Sequence, residues 1–144
     1  MSDSAFTAEE RAAMKDHARE QRKAAKAGSK ADKDAEAAAD VLAKIAELMP
    51  ADRAMAERVH AVVTAAAPQL APRLWYGMPA YALDGKVVCH FQPAAKFKTR
   101  YATLGFSDSA ALDDGELWPV AYALTEVTAE VEERITALVR QALG

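Results

Sequence analysis

Arg73-Leu-Trp-Tyr-Gly-Met-Pro-Ala-Tyr-Ala-Leu-Asp-Gly-Lys-Val-Val-Cys-His-Phe-Gln92, followed by Tyr101-Ala-Thr-Leu-Gly-Phe106, is the stretch that decides the fold. Aromatic and β-branched residues punctuated by Gly and Pro replace the Ala, Glu and Lys that dominate earlier, which is the composition of strands joined by tight turns. Tyr81-Ala-Leu83 leads into Asp84-Gly85, a strong two-residue hairpin signal, and Lys86–Gln92 is the returning strand. Strict alternation along that return sends Val87, Cys89 and Phe91 to one face and Val88 and His90 to the other. Upstream, Trp75-Tyr76-Gly-Met-Pro79 predicts a bulge or sharp bend in a strand beginning near Leu74. Tyr101–Phe106 reads as a further strand and Val120–Leu124 as a short edge strand, where Pro119 is tolerated.

Outward from this block, the chain reads as helix. Thr7-Ala-Glu-Glu10 is a capping box that starts a helix at Ala8, and Gly28-Ser29 stops it near Ala27. Phe6 and Met14 are its only large apolar residues, so it is expected to be a solvated, loosely docked arm. Gly28 to Ala35 reads as a charged joint. Val41, Leu42, Ile45, Leu48 and Met49 then recur at helical spacing up to Pro50. Met55, Val59, Val62 and Val63 mark a second helix from about Asp52 to Pro68, with His60 at the boundary of its apolar face. Ser107–Leu112 suggests one helical turn. Thr125 or Thr128 caps a last helix carrying Val131, Ile135, Leu138, Val139 and Leu143. The expected architecture is α+β: a small antiparallel sheet covered on one face by helices, in the order helix, helix, strands, helix, with an extra N-terminal arm. Residues 1–34 form the charged extension and 35–144 the domain.

Composition narrows the function. The 144 residues are 51% hydrophobic, enough for one core, and the net charge of −3 gives no overall drive toward nucleic acid or an anionic membrane. Arg19, Arg22, Lys23, Lys26, Lys30 and Lys33 could touch phosphates, but Asp16, Glu20, Asp32 and Asp34 are interleaved among them without an aromatic platform. The arm therefore reads as a surface helix. A single cysteine, Cys89, no signal-peptide pattern and no apolar run of membrane-spanning length point to a cytoplasmic protein. Cys89 and His90 are adjacent on a strand and so point apart, which removes the obvious nucleophile–base pair. No phosphate loop, His-Glu-x-x-His motif or paired cysteines are present, so the chain reads as a non-enzymatic binding protein. Trp75, Tyr76, Met78, Tyr81, Phe106 and Trp118 could meet at one end of the sheet. They would line an aromatic cleft for a small ligand or a protein partner, with Lys86, His90 and Arg100 as its polar groups, or else build core.

Trp75-Tyr-Gly-Met-Pro-Ala-Tyr81, Gly85-Lys-Val-Val-Cys89, Thr103-Leu-Gly-Phe106 and Leu112-Asp-Asp-Gly-Glu-Leu-Trp-Pro119 resemble the successive blocks of the YdhG-like domain family, small bacterial proteins often labelled frataxin-like or iron chaperones. The resemblance runs from about Val41 to Leu143. It implies the same α+β order and the handling of weakly bound iron by exposed carboxylates. The nearest counterparts of such carboxylates are Asp113, Asp114 and Glu116 beside the sheet, and Glu126, Glu130, Glu132 and Glu133, expected on the last helix.

Overall fold

The computed structural model describes residues 6–26 and 29–144. Three helices come first, α1 (Ala8–Lys26), α2 (Lys30–Ala46) and α3 (Pro50–Ala66). Strands β1 (Ala71–Trp75), β2 (Met78–Leu83) and β3 (Lys86–Gln92) follow. A one-turn helix α4 (Ala94–Phe97) then leads to β4 (Ala102–Phe106), β5 (Ala121–Leu124) and the closing helix α5 (Ala129–Ala142). The strands form an antiparallel meander in chain order, and the fold is α+β. Among the described residues no helix is long and apolar enough to cross a membrane.

The helix signals work as capping physics requires, with two shifts. The Thr7 hydroxyl accepts from the Glu10 amide while the Glu10 carboxylate accepts from the Thr7 amide, and α1 starts at Ala8. Of the joint expected between Gly28 and Ala35, the residues from Lys30 onward are instead the first turns of α2. Ser29 caps it by accepting from the Asp32 amide, and the Lys30–Asp34 ion pair supports its first turn. Gly28, the expected stop, lies outside the described residues. Pro50 does not merely close α2; it is the first residue of α3, where its missing amide costs nothing. Thr128, not Thr125, caps α5.

Apolar stripes from three helices meet the sheet in one core. Val41 and Ile45 of α2, Val59 and Val63 of α3, and Ile135 and Val139 of α5 share a buried cluster with Tyr81, Cys89, Phe91 and Leu104. The other face of the sheet carries a cross-strand row of Arg73, Ala80, His90, Gly105 and Ala121.

Two features of the sheet depart from strict alternation. Asp84 and Gly85 adopt left-handed φ values of 50° and 83°, the type I′ geometry expected of this pair. Tyr76 and Gly77, at 52° and 76°, make a second turn of the same kind between Trp75 and Met78, so the expected bend is a full reversal that separates two strands. Tyr81 pairs with Cys89 and Ala82 with Val87, which leaves Val88 as an extra residue on β3. This bulge moves Val88 into the core beside Cys89 and Phe91, in place of Val87. After β4, Ser107–Leu112 is not helical; the Ser107 and Ser109 hydroxyls instead donate to the Val87 carbonyl.

Candidate functional site

The sheet end at the β1–β2 turn is where the arm docks. Tyr76 and Gly77 present two successive backbone amides, and the Glu20 carboxylate of α1 accepts from both: Oε1 from Tyr76 at 3.1 Å and Oε2 from Gly77 at 2.9 Å. One helical turn earlier, the His17 ring stacks flat on Tyr76, with centroids 4.0 Å apart and planes 8° apart. Lys96 of α4 reaches back to donate to the Gly77 carbonyl at 2.9 Å and stands 3.9 Å from Asp16. The positive φ of 76° favours glycine at residue 77, and a β-carbon there would displace the Asp16 carboxylate and the Lys96 ammonium from the turn. The arm is thus seated by specific polar contacts rather than by an apolar stripe. Lys98 to Glu9, at 2.7 Å, and Lys23 to Asp40, at 2.8 Å, hold its two ends. Arg19, Lys23 and Lys30, read as potential phosphate ligands, are paired with Asp16, with Asp40 and Glu36, and with Asp34.

Burial sets the electrostatics of this seat. It pushes the Glu20 carboxyl above its ordinary 4.5, and the amide hydrogen bonds from Gly77 and Tyr76 offset it only in part. Lys96 is pushed below its ordinary 10.5, first by burial and then by the nearby Lys44. His17 Nδ1 is buried without a hydrogen-bond partner, 3.6 Å from Glu20 Oε1.

Beside the seat lies a groove of about 640 Å³ between α1, α2, β1 and the β2–β3 turn. Ala71, Pro72, Leu74 and Ala82 give it an apolar floor, while Arg19, Lys23, Lys44, Asp34 and Asp40 are among the charges of both signs on its walls.

The sequence-derived aromatic set divides between the two faces of the sheet. Trp75, Tyr76 and His90 do come together, with Trp75 4.9 Å from each of the other two rings. Tyr81 lies on the opposite face, fully buried, and its hydroxyl shares a 2.9 Å hydrogen bond with His60 Nδ1. Phe106 faces the same core as Tyr81, Met78 is buried, and the half-buried Trp118 packs on the core cluster. None of them lines the groove. Lys86 is exposed at the β2–β3 turn, and Arg100 lies over the Tyr101 ring. Residues 80 and 81 necessarily face apart, which separates His90, the partner of Ala80, from Tyr81.

Asp113, Asp114 and Glu116 are exposed in the turn around Gly115. On α5 and just before it, Glu126, Glu130 and Glu133 are exposed, while Glu132 pairs with Arg58. Among the described residues, no group of three or more His, Cys, Asp or Glu is placed to hold a metal ion. Burial pushes the Cys89 thiol up to about 12 and lowers His90 below its ordinary 6.5.

Sequence reasoning missed Asp16, His17, Glu20 and Lys96 as a group. The only signal of it was the i, i+1, i+4 spacing of Asp16, His17 and Glu20, with Glu20 one turn from both others, on a helix without an apolar stripe. Comparison with protein-family models, curated proteins and solved structures finds no match for this chain.

Proposed function

We propose that this is a non-enzymatic, cytoplasmic binding protein whose ligand lies in the groove between α1, α2 and β1. The observation that carries the reading is the groove itself: about 640 Å³, within the range of small-molecule sites, with an apolar floor and walls of both charges. That lining favours a small zwitterion such as an amino acid or a dipeptide. The non-enzymatic part draws support from Cys89, which is buried as a neutral thiol on the face opposite His90. Saturation-transfer NMR with a panel of amino acids and dipeptides tests the site, using Ala43→Trp on the groove wall as the filled control. Binding by the wild type that is lost in A43W, with unchanged thermal unfolding, supports the reading; no transfer to the wild type rejects it.

The resemblance to YdhG-like proteins supports a second reading, weak binding of iron by Asp113, Asp114 and Glu116. All three are exposed in one short turn but not grouped as ligands, so a labile ion would have to draw them together. Anaerobic Fe(II) titration calorimetry of the wild type against an Asp113→Ala, Asp114→Ala chain tests it, and equal heats reject it.

A further inference from the structure

We propose that the Tyr76–Gly77 turn, with Lys96 beside it, is a recognition site for the carboxylate of an acidic helical peptide, and that α1 fills it in cis through Glu20. The inference does not rest on the groove being a ligand site. Two adjacent amides that take separate oxygens of one carboxylate form a bidentate anion seat, the arrangement by which backbone nests recognise carboxylates. The turn builds this seat from its own left-handed backbone, and Lys96 adds a cation fixed to the Gly77 carbonyl. Next to it, the Tyr76 ring is a platform that accepts a flat side chain one helical turn before the carboxylate, as His17 shows.

The grip of α1 on this seat is of the displaceable kind. Ala13 is its only buried apolar residue among those described, and Phe6 and Met14 stay exposed, so little hydrophobic burial holds the arm. What remains is a set of polar contacts, several at exposed side chains where ion pairs are worth little. The central contact is itself compromised, because Glu20 is desolvated and His17 Nδ1 goes unsatisfied. A partner helix with a flat side chain and a carboxylate at i and i+3 would make the same contacts and release α1.

The test uses a fluorescein-labelled synthetic peptide spanning Ala8–Lys23, titrated into the 144-residue wild-type chain and into a His17→Ala, Glu20→Ala chain while anisotropy is read. Removing the cis competitor should tighten binding of the peptide by roughly ten-fold or more, since apparent affinity scales with the fraction of open sites. Bound peptide should shift the Tyr76 and Gly77 amide resonances, and a peptide with Glu20→Ala, which removes both acceptor oxygens, should not bind. Should the double variant lose its fold, the single Glu20→Ala chain makes the same comparison. Equal affinity for wild type and variant, or binding that leaves the Tyr76 and Gly77 amides unmoved, overturns the proposal. A failed groove experiment leaves these outcomes unaffected.

Discussion

The His90 imidazole lies against Gly105, its cross-strand partner, so closely that a β-carbon at 105 would collide with the ring. The same ring packs on Trp75 at 4.9 Å, so Gly105 sets the position of the aromatic layer on the second face of the sheet. Gly105→Ala should push His90 toward Trp75 and destabilise the fold by about 1–3 kcal/mol, the usual cost of overpacking. Urea unfolding followed by tryptophan fluorescence measures this. Adding His90→Ala to the Gly105→Ala chain should recover much of the loss, and additive losses would show that the two residues are not coupled.

Asp52 is buried at 6% exposure, and its carboxylate accepts from the Ala95 and Lys96 amides, both at 3.2 Å. The N-cap residue of α4, Pro93, offers no side-chain acceptor, so α3 supplies the cap across the fold. Asp52→Ala should cost roughly 1–2 kcal/mol, as loss of a helix cap does, and should speed hydrogen exchange at Ala95 and Lys96. Because α4 also carries Lys96, the Gly77 amide resonance should move in the same variant. An unmoved Gly77 amide would mean that α4 and the β1–β2 turn are independent.

Cys89 is fully buried, with its thiol pushed up to about 12, so at pH 8 almost none of it is the reactive thiolate. A thiol reagent should label it only at the rate of unfolding, and labelling should accelerate in denaturant. Rapid labelling of the native chain would place the sulfur at the surface.

What was legible in the sequence follows from the physics each element uses. The apolar stripes of α3 and α5 and the Asp84–Gly85 hairpin were readable, because burial and left-handed backbone select residue types directly. The Tyr76–Gly77 reversal was hidden because tyrosine is not a turn residue. Its ring stacks on His17, which lies far away in sequence, and meets the edge of the neighbouring Trp75. The Val88 bulge was hidden because one extra residue inverts the alternation from which faces are assigned. The docking of α1 escaped for a related reason: periodicity detects apolar stripes, whereas Asp16, His17 and Glu20 bind through charge and backbone amides. Of the candidate site residues, Trp75, Tyr76 and His90 lie together, while Tyr81 falls to the other face by strand alternation alone.

Two half-buried histidines should weaken the fold as pH falls. His60, hydrogen-bonded to Tyr81, and His90, between Trp75 and Gly105, are both lowered from the ordinary 6.5 by burial. With a depressed pKa the folded state binds fewer protons than the unfolded chain, so their contribution is fully present above about pH 6.5. It is lost as pH falls from there through the folded-state values. Glu20 acts with the opposite sign, since its raised pKa means that the folded state takes up a proton first, and it favours the docked arm as pH falls toward 4.5. Urea midpoints should therefore drop between pH 7.5 and pH 5, and His60→Gln should flatten the drop. Contact between α1 and the Tyr76–Gly77 turn, followed by the Gly77 amide shift, should persist or tighten over the same range until global unfolding. A midpoint independent of pH in both chains would show that the two imidazoles titrate alike in the folded and unfolded states.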